Sequence, residues 1–237
     1  MGMENRVVVI TGATGGLGSV TSAAFAAQGA HLALVSTNQQ KLDHLIRKLN
    51  LSEDRYVTIT ADLGVKDETD FAAARILAKF GHVDILLHLV GGWSGGKPIL
   101  EVESAQVEEM LRQHLWTTYN LVQAFLPGML AQHWGRIIAV SSPFASHPSS
   151  NLAPYVIGKA AQEALLLSVA REAKDTGVTA NMLLVKNIDT RHERQTNPSP
   201  KNVSWTTPEE IFTSLMYLCS EEAGMINGAR LPLYGEM

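Results

Sequence analysis

The sequence predicts an α/β fold: a mostly parallel, seven-stranded, doubly wound sheet with helices on both faces, in one domain over residues 1–237. Three observations predict it. Short β-branched apolar runs alternate with longer helix-like segments. The runs recur at roughly 20–30 residues, the spacing of strand–helix–strand units with right-handed crossovers. No linker, repeat or low-complexity tract interrupts the series.

Each element has its own signal. "RVVVIT" (6–11) has the continuous apolar character of a strand buried on both faces. A glycine-rich turn follows, then "SVTSAAFAAQG", a helix closed by Gly29. "HLALVS" (31–36) is the second strand and "QQKLDHLIRKLN" the second helix. "YVTITAD" (56–62) is the third strand, and "DETDFAAARILAKFG" a helix ending at Gly81. "VDILLHLV" (83–90) is the fourth strand. One long helix is expected over 104–132, with Pro127 near its last turns. "GRIIAVSS" (135–142) is the fifth strand, and the helix after it runs from Ala153 to a closing glycine at Gly177. "VTANMLLV" (178–185) is the sixth strand, and 191–207 reads as a polar loop. Pro208 opens the last helix, and "ARLPLY" (229–234) is the seventh strand.

Composition narrows the function classes. Apolar residues make up 46% and charged residues 18%, a globular balance. The net charge is −4 with no basic run, so nucleic acid and anionic membranes are not expected partners. Cys219 is the only cysteine, which fits a reducing cytoplasm. No apolar run approaches the ~18 residues of a membrane span, and no leader-like segment precedes Arg6. The eight histidines lack metal-ligand spacing, so no metal is expected. A soluble cytoplasmic protein is expected.

"TGATGGLG" (11–18) lies between the first strand and the first helix. There, Gly12, Gly16 and Gly18 permit a tight turn, close approach of a pyrophosphate, and tight helix packing. The helix N-terminus then offers amides and a positive dipole end to phosphate. Tyr155 and Lys159 are four apart on a predicted helix, hence on one face. A lysine cation favours phenolate, so Tyr155 is expected to exchange a proton nearer neutrality than its usual ~10. Ser142 ends a strand at the edge where ligands bind in such sheets.

Together these stretches resemble the short-chain dehydrogenases/reductases over essentially the whole chain. "TGATGGLG" matches their T-G-x-x-x-G-x-G loop, "YVIGK" their Y-x-x-x-K pair, and Ser142 stands at the usual interval before the tyrosine. The resemblance implies a Rossmann-type dinucleotide site and hydride transfer between nicotinamide and a carbonyl or alcohol, as in 3-oxoacyl-carrier-protein reductases. Tyr155 would protonate the oxygen, Ser142 would bind it, and Lys159 would reach the nicotinamide ribose. The residues implied around the dinucleotide are Gly12, Thr14, Gly15, Gly16, Leu17, Gly18, Ser36, Thr37, Asn38, Asp62, Leu63, Val90, Gly91, Tyr155, Lys159 and Thr190. Asp62 would bind adenine and Thr190 the carboxamide. No acid ends the second strand to repel a 2′-phosphate, so NADP is favoured slightly over NAD. The family also pairs its fourth and fifth helices between subunits. Segments such as "EALLLSVA" are apolar on more than one face, so a homodimer or homotetramer is expected.

The chain departs from the family at three places. His88 to Gly91 ("HLVG") replaces N-N-A-G, His114 replaces a helix asparagine of the catalytic set, and Val185-Lys186 replaces P-G. If His114 faces Lys159, it would titrate near pH ~6.5 and give turnover an acidic limb; otherwise it packs against Trp116 or the core of the fourth helix. These departures keep open a non-catalytic dinucleotide-binding protein.

"GGWSGG" (91–96) falls after the fourth strand, on the ligand edge. Trp93 is expected either at the cleft mouth, stacking on a flat substrate, or as a lid over the fourth helix. With "HLWTT", this region resembles dihydropteridine reductase, a divergent branch of the same superfamily, which keeps pterin reduction as an alternative. The loop at 191–207 is the expected substrate cover. Its Arg191, His192, Arg194 and Lys201 either meet an anionic substrate or are solvated.

Overall fold

Seven strands form one sheet in the order β3-β2-β1-β4-β5-β6-β7 in a computed structural model that describes residues 3–235. They are β1 (Val7–Thr11), β2 (His31–Ser36), β3 (Tyr56–Thr60), β4 (Ile85–His88), β5 (Gly135–Ser141), β6 (Val178–Leu184) and β7 (Arg230–Pro232). Every neighbouring pair is parallel, so the sheet is wholly rather than mostly parallel. The helices are α1 (Gly16–Ala27), α2 (Gln39–Leu49), α3 (Lys66–Phe80), α4 (Ser104–Leu111), α5 (Thr117–Ala131), α6 (Ala153–Glu172), α7 (Glu193–Thr196) and α8 (Pro208–Leu218).

The apolar runs are continuous because both faces of the sheet are covered. Side chains of β1 alternate between two cores. Val7 and Val9 join Phe125 and Leu166 of α5 and α6. Val8 and Ile10 join Phe25 and Leu215 of α1 and α8. The predicted stops also act locally. Gly81 ends α3 at φ +81, and Thr207 and Glu210 form a capping box around Pro208.

Two expectations need correction. The single helix over 104–132 is broken by a π-helical turn, Arg112–Trp116, between α4 and α5. That turn takes one extra residue per hydrogen-bonded ring and re-aims the side chains it carries. The loop at 191–207 contains α7, because Asp189 accepts from the Glu193 and Arg194 amides at 2.8 Å each. The carboxylate supplies the acceptor that the first helical turn lacks. Among the described residues, no helix is long and apolar enough to cross a membrane.

Strands β1 and β4 are neighbours, although the chain leaves β1 for β2 on one side and enters β5 from β4 on the other. This reversal opens a crevice at the carboxyl ends of β1 and β4.

Candidate active site

The glycine loop lies in that crevice. Gly12 has φ +66, and a Cβ there would come within 3.0 Å of the Leu89 carbonyl oxygen. Gly18 is tighter: its Cβ would fall 2.2 Å from the Gly12 oxygen. Gly18 therefore closes the turn against the helix rather than lining the groove. A Cβ on Gly16 would strike Thr190 at 2.5 Å, so this threonine sits directly over the loop.

A cavity of about 420 Å³ opens beside the loop. Gly12, Thr14, Gly15, Ser36, Thr37, Asp62, Leu63, Val90 and Gly91 line it, all anticipated from sequence. Thr14 and Ser36 tie the loop to the end of β2 through a 2.7 Å hydroxyl contact. Asn38 lies in the next recess, where its side chain caps α2 by accepting from the Lys41 amide at 2.9 Å. Arg112 is an unanticipated liner. It donates to both Asp62 oxygens, at 3.0 and 2.7 Å, from the π-helical turn. Fifty residues of separation hide this pair from any local reading.

A second cavity of about 380 Å³ shares Leu89, Val90 and Gly91 with the first. Leu17, Trp93, His114, Tyr155 and Lys159 line it. Ser142 is buried, hydrogen-bonds the Tyr155 phenol and starts a short turn, with its hydroxyl accepting from the Phe144 amide at 3.3 Å. Lys159 Nζ donates to the Val140 carbonyl (2.7 Å) and to Gln162 Oε1 (3.1 Å). Among the described residues, no acceptor takes its third proton. Gln162, fully buried, also donates to Thr118 at 2.9 Å, and Thr118 donates to the His114 carbonyl at 2.6 Å. This chain of bonds joins Lys159 to the π-helical turn. Gln162 was not anticipated; the signal was a polar residue three positions after Lys159, on the same helix face.

The electrostatics differ from the sequence expectation. Burial drives Lys159 down to about 7, opposed by the nearby Glu163 carboxylate. Burial also raises Tyr155, while a hydrogen bond with Ser142 lowers it and Glu163 raises it. A desolvated lysine near its own neutral point exerts too little field to overcome the burial of the phenol.

The two unusual histidines are both buried and neutral. His88 Nδ1 lies 2.9 Å from the Thr11 hydroxyl and Nε2 lies 3.0 Å from the Thr117 hydroxyl. Thr117 donates its own proton to the Gln113 carbonyl at 2.7 Å. One tautomer satisfies every group: Thr11 donates to Nδ1, and the Nε2 proton goes to Thr117. His88 thus bridges β1 to the start of α5 through two threonine hydroxyls. Burial, helped by the Lys159 charge, lowers it to about 3.

His114 donates from Nε2 to the Gly92 carbonyl at 3.2 Å and packs edge-on against Tyr155 with centroids 5.7 Å apart. Desolvation, and then Lys159, lowers it to about 2. The expected titration near pH ~6.5 is therefore overturned: charging an imidazole away from water costs more than its one carbonyl partner returns. Packing against Trp116 is overturned as well, since that indole is half exposed and meets Tyr119.

Trp93 stands at the mouth of the second cavity, 63% exposed, and is not a lid over the helix. The cover segment is held to α8. Arg194 pairs with Glu210 and donates to the Trp205 carbonyl, and His192 contacts Glu209 at 3.0 Å. These two side chains are thereby occupied and not aimed at a substrate. Arg191 is solvated, with only a 4.0 Å contact to Glu193.

Comparison with known proteins agrees with this architecture. The family model described as short chain dehydrogenase matches residues 6–201. The uncharacterised oxidoreductase YmfI of Bacillus subtilis is 31% identical, with 98% of each chain covered. The 1,6-dihydroxycyclohexa-2,4-diene-1-carboxylate dehydrogenase of Pseudomonas putida is 28% identical over 98% of this chain and 92% of its own. The crystal structure of a short chain dehydrogenase from Bacillus anthracis superposes with a TM-score of 0.87, at 25% identity, over 98% of this chain and 96% of its own. The present chain belongs to the short chain dehydrogenase family and is an oxidoreductase of that family.

Proposed function

We propose that this protein is an NAD(P)H-dependent carbonyl reductase, with NADPH as the favoured cofactor. One observation carries the reading. The cavity lined by Tyr155 and Lys159 adjoins the groove beside the glycine loop, and Leu89, Val90 and Gly91 line both. Gly12 and Gly18 permit the tight turn that sets Gly12 and Gly15 in the wall of that groove, and a dinucleotide would lie along it. Gly15, Gly16 and the amides opening α1 would hold its phosphates, and Asp62 and Leu63 would flank the base. Ser36 and Thr37 offer hydroxyls but no carboxylate at the end of β2, and Lys41, His44 and Lys48 line the recess next to Thr14. That balance supports a 2′-phosphate.

A dinucleotide bound there would supply the hydride. Tyr155 donates the proton that the new alkoxide needs, and the Ser142 hydroxyl steadies the same oxygen. Lys159 holds its proton for relay to Tyr155 near neutral pH. Trp93 offers a flat wall for the substrate. A 3-oxoacyl thioester is the first substrate class to test. Exposed Trp116, Tyr119 and Ile157 on the α5 and α6 side support assembly into a dimer or tetramer.

Fluorescence titration with NADH and NADPH tests the cofactor, and a panel of ketones, 3-oxoacyl thioesters and a quinonoid pterin tests the chemistry. Tighter binding of NADPH with turnover of a carbonyl is expected. Dinucleotide binding without turnover of any panel member would instead mark a non-catalytic dinucleotide-binding protein.

A further inference from the structure

The second cavity carries one charged residue, Lys186, that the reduction chemistry does not use. Two cations line it, Lys159 and Lys186, and no aspartate or glutamate does. This is unusual in a chain with net charge −4. Lys159 is buried and bonded to Val140 and Gln162. Lys186 is exposed, and among the described residues it has neither a hydrogen-bond partner nor an ion-pair partner for its ammonium. Two arginines near this edge are already paired, Arg194 with Glu210 and Arg230 with Glu163.

Backbone register explains how Lys186 reaches this position. Leu184 pairs with Ser141, and the Val185 amide extends the ladder by donating to the Ser141 carbonyl at 3.0 Å. Val185 is 4% exposed and enters the core shared with α1 and α8. Lys186 follows at a bend just past β6 and lines the cavity that also holds Tyr155 and Lys159. A cation at the mouth of a low-dielectric cleft without a counter-charge attracts anions more strongly than the same charge on an open surface.

We propose that Lys186 is a specificity-determining residue that binds an oxyanion, carboxylate or phosphate, carried by the carbonyl substrate. The substrate is then a small anionic carbonyl compound, with its flat part against Trp93 and its charge at Lys186. This inference rests on the carbonyl-reductase reading above. Lysine acts here as a mobile point charge, so arginine can replace it and an uncharged chain cannot.

The test uses three probes: a flat aryl ketone bearing a carboxylate, its methyl ester, and the matching phosphate monoester. Affinities are measured by calorimetry on the enzyme saturated with oxidised cofactor, and turnover is followed separately by NADPH consumption. The parent should bind at least one anionic probe roughly tenfold more tightly than the ester, the scale of one charge-assisted contact. The better anion identifies which oxyanion the site takes. Lys186→Met should abolish the preference and leave ester affinity unchanged. Lys186→Arg should restore it, and the preference should shrink as salt rises. A preference that survives Lys186→Met, or is absent from the parent, overturns the proposal. So does weakened NADPH binding in Lys186→Met with no change in probe preference, since the cation would then serve the cofactor. The underlying reading fails separately. Anion-selective binding without turnover keeps the Lys186 site and removes carbonyl reduction, whereas turnover without charge preference does the reverse.

Discussion

Replacing His114 by asparagine should flatten the acid side of the stability curve. His88 and His114 are buried and neutral, at about 3 and about 2 against an ordinary 6.5. Below pH 6.5 the unfolded chain binds a proton on each imidazole that the native state refuses. Stability is therefore lost as pH falls from the unfolded value toward the folded one. Each pH unit in that window is worth ~1.4 kcal/mol per group. At pH 5 both folded values are still well below the solution pH, so each histidine costs ~2 kcal/mol relative to neutrality, and the pair ~4 kcal/mol. Asparagine can still donate to the Gly92 carbonyl but cannot titrate. Urea unfolding of the parent and His114→Asn at pH 7.5 and pH 5.0 measures the effect. The variant should lose ~2 kcal/mol less than the parent between the two pH values, whatever its absolute stability. Its pH–rate profile should keep the parent's shape down to pH 5, because this imidazole never charges there. Equal losses in both proteins, or a His114 ring resonance titrating near neutrality, would refute the reasoning.

Three further predictions follow from the same geometry. Tyr155→Phe should keep dinucleotide affinity and lose ~10²–10⁴-fold in turnover, since only the proton donor goes; full steady-state activity would contradict the assignment. Gln162→Leu should lower the pH at which turnover declines on the alkaline side by about one unit, because charged Lys159 loses one of its two acceptors, whereas Gln162→Glu should move it the other way; a pH–kcat series decides. Gly18→Ala should destabilise the fold by roughly 1–3 kcal/mol and weaken dinucleotide binding, because the new Cβ meets the Gly12 and Ala13 backbone at 2.2–2.9 Å and backbone cannot rotate away; chemical denaturation at neutral pH checks this.

Much of this molecule was legible in the linear chain. Strand and helix periodicity follow from side-chain alternation, and Gly12, Gly18, Tyr155 and Lys159 act through spacings of a few residues. Such short-range signals survive without any knowledge of the fold. The seven strands, the glycine loop, the Tyr–Lys helix face and the position of "GGWSGG" after the fourth strand, on the ligand edge, were all readable on that basis.

What the tertiary structure decided depends on desolvation and on partners far apart in sequence. His114 is an ordinary imidazole in the chain, and burial, then the nearby Lys159, lowers it to about 2 and keeps it neutral near physiological pH. The same burial reverses the sign expected for Tyr155 and brings Lys159 near its neutral point. Arg112 finds Asp62 across 50 positions, and His88 finds Thr11 and Thr117 across 77 and 29. Residue type alone determines which protons a side chain can carry. Whether it carries them depends on the dielectric and the partners that folding assembles around it, and no local pattern in the sequence encodes those.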